Sequence, residues 1–232
     1  MKPWEFLAQT TSADGATLKL ARHDGELMIV VDGAPLMSSR MHGSEEVLAT
    51  LGCRRARHLP KPCVLVGGLG MGFTLRAALD LLPSAATVVV AELLPAVVEW
   101  NRGVLGPLAG HPLDDRRVRI EERDVAQVLR SNRAGFDAVL LDTDNAPRAL
   151  TVHGNAALYS DRGIADARTA LKPGGTLAIW SSYDDQRFVQ RLRSGGFDVS
   201  VERVRGRLTA GPQHVIFLAD VAQARPPKKR RP

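Results

Sequence analysis

Five short apolar runs, separated by stretches with helical spacing, follow Pro62 and constrain the fold more than any other feature. Cys63–Val66 and Thr87–Ala91 show the pattern, because each is apolar along its length and is followed by a helical stretch. Strands buried on both faces have this composition, and parallel strands need a long crossover between them. The sequence therefore predicts an α/β fold, with a mainly parallel sheet covered by helices on both faces. The other three runs are Val118–Ile120, Phe136–Leu141 and Thr176–Trp180.

The first 42 residues have a different pattern. Thr17–Ala21 alternates between apolar and polar side chains, Glu26–Val31 does so less cleanly, and His23-Asp24-Gly25 between them is typical of a turn. Asp32-Gly33 permits a second reversal of the chain into Ala34–Met37. We expect a small antiparallel sheet in this segment.

Two further features complete the predicted organisation. Gly43–Leu51 reads as a helix with Ser44 as its cap, and the chain ends in two strands, Asp198–Val204 and His214–Ala219. Because no helix separates these two strands, we expect the last strand of the sheet to be antiparallel. The predicted domains are a small N-terminal β-sheet domain (1–42), a Rossmann-like catalytic domain (43–222) and a basic, disordered tail (223–232).

The net charge of +6 comes largely from the tail. Arg225, Lys228, Lys229, Arg230 and Arg231 all lie there, so the rest of the chain is nearly neutral. The high net charge mostly describes the tail, so it is weak evidence for a body that binds nucleic acid. We therefore expect a small-molecule partner and no nucleic acid.

The sequence also argues against membrane, secretory and metal-binding classes. No apolar run approaches the roughly 18 residues of a membrane span, and the N-terminus does not resemble a secretory signal. The two cysteines, Cys53 and Cys63, form no CxxC motif, and the six histidines form no HxxxH pair. We expect a cytoplasmic protein without a metal.

The segment after the first apolar run is rich in glycine. Gly68, Gly70 and Gly72 would let the backbone approach a ligand, and the helix that follows would present free N–H groups. A dinucleotide fingerprint that starts at Gly68 requires glycine where Phe73 stands, which counts against NAD. The three glycines are therefore candidates for binding another cofactor.

Four acidic residues stand at or just after the ends of predicted strands, where such sheets bind ligands. Glu92 can accept hydrogen bonds from ribose hydroxyls. Asp124 can receive an adenine amino group or cap the next helix. Asp142 and Asp144 are candidates for chemistry, and the alternative is an Asx-type turn before Pro147.

These elements, in this order, resemble the polyamine aminopropyltransferase family, whose familiar member is spermidine synthase. Val64–Arg76 is similar to the family's VLVIGGGDGGTLR, Ala91–Glu99 to its VEIDPxVVE, and Arg123–Val125 to its GDA. Leu141–Asp144 resembles its VDSSDP, and Ala170–Gly175 matches its LKPGG. The resemblance implies the Rossmann-like class I S-adenosylmethionine-dependent methyltransferase fold, with an N-terminal hairpin domain and a homo-oligomer, most simply a dimer.

The resemblance implies a bound adenosyl sulfonium, which is S-adenosylmethionine or its decarboxylated form as co-substrate. Glu92 would hold the ribose, and Asp124 with Val125 the adenine. Asp142 would stand at the family's catalytic acid, with Asp144 in support. The implied reaction, part of polyamine biosynthesis in the family, is an in-line displacement at a carbon next to the sulfonium. An attacking amine must be neutral, and a carboxylate can take its proton.

The departures from the family pattern concern the polyamine half of the site. Met71 stands where the family has an Asp that pairs with the amine of decarboxylated S-adenosylmethionine. Leu36 replaces a Gln, Asn145 replaces the second Asp of DSSD, and Ser44-Glu45 replaces a Tyr-His pair. Because an acid at Met71 would repel a carboxylate, its absence permits S-adenosylmethionine itself.

Four functions remain open. The first is a spermidine synthase-like transferase that moves an aminopropyl or methyl group to a small nucleophile such as an amine. The second is a methyltransferase with a non-polyamine acceptor, and the third is a non-catalytic protein that binds adenosyl nucleotides. The fourth and weakest is nucleic-acid modification through the basic tail, which predicts that deletion of residues 225–232 weakens a salt-sensitive interaction with RNA or DNA. Trp180, Tyr159 and Tyr183 either line a replacement acceptor pocket or pack in the core.

Overall fold

The computed structural model describes residues 3–12, 15–143, 155–206 and 211–222, which form two sheets with helices around the larger one. The smaller sheet is antiparallel, and its strands are neighbours in chain order: β1 (Glu5–Thr11), β2 (Thr17–His23), β3 (Glu26–Val31) and β4 (Ala34–Ser38). The larger sheet contains β5 (Cys63–Gly67), β6 (Thr87–Ala91), β7 (Val118–Glu121), β8 (Phe136–Leu141), β9 (Leu171–Ser181), β10 (Asp198–Arg205) and β11 (Gln213–Asp220).

The larger sheet has the strand order β10-β11-β9-β8-β5-β6-β7. Its pairings from β9 to β7 are parallel, whereas β11 is antiparallel to both of its neighbours. This confirms the predicted α/β fold. The helices of the described residues are α1 (Gly43–Gly52), α2 (Phe73–Leu81), α3 (Pro95–Arg102), α4 (Val125–Ser131), α5 (Asn155–Leu158), α6 (Asp161–Ala170) and α7 (Gln186–Ser194).

The central strand β5 is buried on both faces, as its continuous apolar sequence predicts. Val64 and Val66 pack into one hydrophobic cluster with Leu75 of α2, while Leu65 packs into a second cluster with Val128 of α4. The chain runs from β5 to β6 on one side and places β8 on the other. The crossovers therefore diverge at β5, and the carboxyl ends of β5, β6 and β8 border a crevice where such sheets bind ligands.

The N-terminal sheet covers part of this crevice. Its apolar side chains alternate along β2 and β3, so that Leu18, Leu20, Ile29 and Val31 are buried in the same cluster as Leu75. One face of the small sheet is thus joined to the core of the large domain. The proposed division at residue 42 stays a prediction, and the basic tail at 223–232 lies outside the described residues.

Three local expectations were wrong. β1 was not predicted, because this edge strand is largely exposed and lacks a clear apolar alternation. Ser44 does not cap α1, since His42 occupies the N-cap position and the Ser44 hydroxyl donates to the Glu45 carboxylate. β9 begins at Leu171, five residues before the predicted strand Thr176–Trp180. Among the described helices, none is both long and apolar enough to cross a membrane.

Candidate active site

The glycine segment after β5 turns sharply against the end of β8. Gly68 has a φ of +88°, and a Cβ atom there would lie 2.5 Å from the Asp142 carbonyl oxygen. The Asp142 amide in turn donates to the Gly67 carbonyl oxygen at 2.9 Å. Only glycine adopts this backbone angle without strain and leaves room for the neighbouring loop. The two loops are therefore held together at the mouth of the crevice.

Asn101 of α3 anchors the next part of the glycine segment. Its Nδ2 group donates to the Gly70 carbonyl at 2.8 Å and to the Val97 carbonyl at 2.9 Å, and the side chain is buried. Gly70 also has a positive φ, of +52°, and Gly72 takes the N-cap position of α2. Sequence reasoning missed Asn101, although a polar residue in the apolar register of α3 is a signal that could have found it.

Glu92, at the end of β6, joins two loops through its carboxylate. One oxygen accepts a hydrogen bond from the Leu69 amide and the other from the Leu94 amide, both at 2.9 Å. Burial raises the pKa of Glu92, and the two amides act in the opposite direction. Each carboxylate oxygen has a second lone pair, so the group can still accept a ribose hydroxyl.

Asp124 caps α4, which was one of the two roles expected for it. Its Oδ1 atom accepts a hydrogen bond from the Ala126 amide at 2.7 Å. Val125 follows it and packs so closely on β5 that a Cβ at Gly67 would lie 2.8 Å from its side chain. The proposed contact between Asp124 and adenine stays a prediction.

These residues border a cavity at the strand ends, which we call the strand-end cleft. It encloses about 820 Å³, including the part open to solvent. Three carboxylates face a lining that is otherwise mostly apolar. The lining residues are Ser12, Leu18, Ile29, Leu36, Met37, Gly68, Gly70, Ala91, Glu92, Leu93, Leu94, Val97, Asp124, Val125, Asp142 and Thr143.

A second cavity, which we call the side cavity, adjoins the strand-end cleft. It encloses about 640 Å³, and Leu36, Met37 and Asp142 line both cavities. These three residues therefore mark the junction. The full lining of the side cavity is Leu36, Met37, Ser38, Met41, Ser44, Glu45, Asp142, Trp180, Pro212 and His214.

Asp142 lies at the junction with its carboxylate partly fixed. The Thr74 hydroxyl of α2 donates to its Oδ2 atom at 2.7 Å. Burial raises the pKa of Asp142 to about 6, although the hydrogen bond from Thr74 opposes the shift. A carboxylate with a pKa close to neutrality is suited to accepting and releasing a proton. Asp144 and Asn145, which sequence reasoning placed beside it, lie outside the described residues.

Glu45 is the acidic residue that sequence reasoning did not select as a site residue. It lies in the first turn of α1, its exposed fraction is 8%, and Ser44 Oγ donates to its Oε2 atom at 2.6 Å. Burial raises the pKa of Glu45 to about 7, and repulsion by Asp142 adds to the shift. The side cavity thus holds two carboxylates that interact electrostatically.

The residues that depart from the family pattern, and the three aromatic candidates, lie in different parts of the structure. Met71 has an exposed fraction of 1% and packs in the core, so its side chain does not line either cavity. Leu36 lies at the junction, as an apolar wall. Of the three aromatic candidates, Trp180 lines the side cavity, while Tyr159 is buried and its hydroxyl lies 2.6 Å from Thr143 Oγ1. Tyr183 lies in a separate surface depression.

The described residues contain no group of three or more His, Cys, Asp or Glu side chains placed to bind a metal ion. The two cavities carry carboxylates that can take part in binding and in proton transfer. The strand-end cleft offers hydrogen-bond acceptors to a nucleoside, and the side cavity offers negative charge to a second, smaller molecule.

Spermidine synthase from Thermotoga maritima resembles this chain in structure, with a TM-score of 0.72 and 21% identity over 93% of this chain and 72% of that chain. A spermidine synthase in complex with the transition state analogue AdoDATO gives a TM-score of 0.71 at 20% identity, with the same coverage. The chain has a spermidine synthase-like fold. A probable spermidine synthase from Corynebacterium glutamicum shares it, with a TM-score of 0.64 and 17% identity over 95% of this chain and 81% of that chain.

A scan against protein-family models finds no match to this sequence, and a comparison with curated proteins finds no relative. The spermidine synthase-like fold is therefore established by structure. Because one fold supports many reactions, the function has to be argued from the two cavities.

Proposed function

We propose that this chain is a transferase that binds an adenosyl sulfonium in the strand-end cleft and moves its alkyl group to a small nucleophile in the side cavity. The observation that carries the proposal is that Asp142 lines both cavities. A carbon held at this junction would be open to attack from the side cavity. The solved spermidine synthases of the same fold support this assignment by analogy.

The strand-end cleft suits an adenosine group. Glu92 would accept hydrogen bonds from the ribose hydroxyls, and the carboxylate of Asp124 would accept one from the adenine amino group. The apolar side chains of Val125 and Leu93 line the same cleft and would pack on the adenine ring. Gly68 and Gly70 would let the backbone approach the ligand closely.

The reaction would be an in-line displacement at a carbon bonded to the sulfonium sulfur. The nucleophile forms a bond to that carbon, the carbon–sulfur bond breaks, and its electron pair stays on sulfur as a neutral thioether. If the nucleophile is an amine, its surplus proton passes to the carboxylate of Asp142. The carbon is already activated by the positive sulfur, so the protein mainly positions the two reactants.

The transferred group is aminopropyl or methyl. Aminopropyl transfer is the reaction that the resemblance implies, but the acid that would hold the amine of the decarboxylated donor is replaced by Met71, which lies in the core. Methyl transfer from S-adenosylmethionine requires no acid at this position. The burial of Met71 and the apolar wall formed by Leu36 therefore make methyl transfer the second candidate.

Binding of the donor is tested with Asp124→Asn. The new amide oxygen would keep the helix cap, while its NH₂ group would replace the second carboxylate oxygen and oppose the adenine amino group, since both are donors. We expect the affinity for S-adenosylmethionine and for its decarboxylated form, measured by calorimetry, to fall about 10-fold or more. Asp185→Asn is the matched control, because Asp185 caps α7 away from the cleft.

Turnover decides between an enzyme and a binding protein. The wild-type chain is incubated with each donor and a set of small amines, and alkylated products are measured by mass spectrometry. We expect Asp142→Asn to retain donor binding and to lose product formation by about 100-fold or more, which is the usual scale for a general base. Donor binding without any product from the wild-type chain would contradict the transferase proposal and favour a non-catalytic nucleotide-binding protein.

A further inference from the structure

Two carboxylates from distant parts of the chain meet in the side cavity. Glu45 belongs to the first turn of α1 and Asp142 follows β8, yet both line this cavity and each repels the other's negative charge. Neighbouring hydroxyls fix both groups, with Ser44 on Glu45 and Thr74 on Asp142. No Lys or Arg of the described residues forms an ion pair with either group. Such a pair is stabilised by a cation placed between its members.

Apart from Glu45 and Asp142, the described lining carries no acidic side chain that could pair with a second positive charge. Leu36, Met37, Met41 and Pro212 are apolar, and an ammonium against them would lose its hydration without gaining a partner. The Trp180 indole nitrogen is buried and has no hydrogen-bond partner among the described residues. An indole N–H only donates, as an ammonium does, so a second ammonium could not satisfy it.

His214, the remaining titratable residue of the described lining, does not change this balance. Its ring packs against Trp180, with ring centroids 4.7 Å apart. Burial lowers the pKa of His214, which leaves the imidazole neutral at physiological pH. The ring therefore neither repels a cation bound at the acid pair nor supplies charge to hold another.

A divalent metal ion is a poorer occupant than an ammonium. Calcium and magnesium take six or more oxygen ligands, whereas the described cavity offers two carboxylates. An ammonium needs up to three acceptors and can release a proton to a carboxylate.

We infer that the side cavity binds a small amine with one positive charge and an uncharged tail, held between Glu45 and Asp142, and that Glu45 determines this specificity. The inference deepens the proposed function, because it rests on the side cavity being the acceptor site. Glu45 stands where the resemblance aligns a histidine, so the second carboxylate is a departure from the family pattern.

The test compares two amines with the same four-carbon chain, n-butylamine and 1,4-diaminobutane, by NMR titration of the full chain. A pH of about 8.5 keeps the amines charged and both carboxylates ionised. We expect the wild-type chain to bind n-butylamine at least as tightly as 1,4-diaminobutane. Glu45→Gln is expected to weaken n-butylamine binding about 10-fold, which is the scale of one charge-assisted hydrogen bond. Glu46→Gln is the matched control, because Glu46 pairs with His42 and does not line the cavity.

A second variant keeps the test decisive if Glu45→Gln fails to fold. Met41 has an exposed fraction of 39% and lines the apolar part of the cavity, so Met41→Glu adds a third acid at a position that tolerates charge. We expect this variant to bind 1,4-diaminobutane about 10-fold more tightly than n-butylamine. Equal affinities in Met41→Glu, a wild-type preference of 10-fold or more for the diamine, or unchanged binding in Glu45→Gln would each overturn the inference.

The failure of this inference can be told apart from the failure of the proposed function. If the amines bind as expected but neither adenosyl donor yields an alkylated amine, the transferase proposal fails and the amine site stands. If 1,4-diaminobutane is alkylated and n-butylamine is not, the transferase proposal stands and the single-charge specificity is wrong.

Discussion

At the scale of single residues, the acids of the site differ in what holds them in place. Glu92 accepts hydrogen bonds from two backbone amides, and Asp124 caps a helix, so the fold itself needs both side chains. Asp142 and Glu45 are instead fixed by hydroxyls, and burial raises the pKa of each. Buried acids whose pKa is raised, and which satisfy no backbone amide of a neighbouring loop or helix, are the stronger candidates for chemistry.

The Thr74 hydroxyl opposes the burial that raises the pKa of Asp142. Because its hydrogen bond stabilises the ionised carboxylate, Thr74→Val is expected to raise the pKa of Asp142 above its present value of about 6. Thr74→Ser keeps the hydroxyl and should leave the pKa close to that of the wild type. Side-chain ¹³C NMR titration of the carboxyl groups measures both variants. A pKa in Thr74→Val that matches the wild-type value would show that this hydrogen bond does not act on Asp142.

Sequence reasoning reached Glu92, Asp124 and Asp142 because each follows an apolar strand, and the ends of parallel strands meet at one edge. It did not reach Glu45 or Asn101. Their importance depends on burial, which arises when α1 and α3 pack against residues distant in the chain. A pattern along the sequence does not report such contacts.

At the scale of elements, the loop after β5 depends on backbone angles that side chains resist. Gly68 and Gly25 both have a positive φ, of +88° and +77°, but only Gly68 is crowded, since a Cβ at Gly25 would meet nothing within 4 Å. Gly25→Ala therefore isolates the cost of the angle, at roughly 1 kcal/mol. Gly68→Ala adds a clash with the Asp142 backbone, and we expect it to cost at least about 3 kcal/mol and to weaken donor binding. Urea unfolding measures the free energy of unfolding of both variants. An equal loss in Gly25→Ala and Gly68→Ala would show that the loops after β5 and β8 can separate freely.

Asn101 connects α3 to the same loop. Asn101→Ala leaves the carbonyls of Gly70 and Val97 without this donor, and we expect it to cost about 1–3 kcal/mol. Asn132→Ala is the matched control, because Asn132 donates only to Val128 within its own helix. Hydrogen exchange should become faster in the glycine loop of Asn101→Ala and stay unchanged there in Asn132→Ala. Unchanged exchange in both variants would contradict an anchoring role for Asn101.

Buried strands could be predicted from the sequence more accurately than exposed ones. β5, β6 and β8 were predicted within about a residue of their observed ends, because strands buried on both faces must be apolar throughout. β1 was missed because an exposed edge strand is defined by its pairing with β2, and pairing is not visible in a single segment.

At the scale of the whole molecule, the buried acids whose pKa is raised, which are Glu45, Asp142 and Glu92, tie the stability of the fold to pH. The pKa of Glu45 is about 7 and that of Asp142 about 6, both above their ordinary values, so the folded state binds protons more tightly than the unfolded state. The free energy of unfolding should therefore decrease as the pH rises from about 4 to about 7, and this contribution should level off above that range.

Glu45→Gln tests this dependence. Because the variant removes one group with a raised pKa, its stability should fall less between pH 4.5 and pH 8 than that of the wild type, as measured by urea unfolding at the two pH values. Glu46→Gln should keep most of the wild-type dependence, because the charge of Glu46 is the smallest of the causes that raise the pKa of Glu45. Asp115 acts in the opposite sense at lower pH, because Arg117 lowers its pKa to about 2 and its contribution is lost as the pH falls toward that value. Identical slopes in Glu45→Gln and the wild type would contradict the assignment.

The two hydrogen bonds that Glu92 accepts also determine which residues such a chain can lose during evolution. A lineage that stopped using an adenosyl donor would still need this carboxylate to join the loops that follow β5 and β6. A lineage that lost the activity would therefore keep Glu92 and would first accept substitutions of Asp142 and Glu45. Removing either of these two acids relieves electrostatic repulsion and leaves no backbone amide of a neighbouring loop unpaired. Along such a lineage, retention of the acid pair of the side cavity would be a more informative marker of a working enzyme than retention of Glu92.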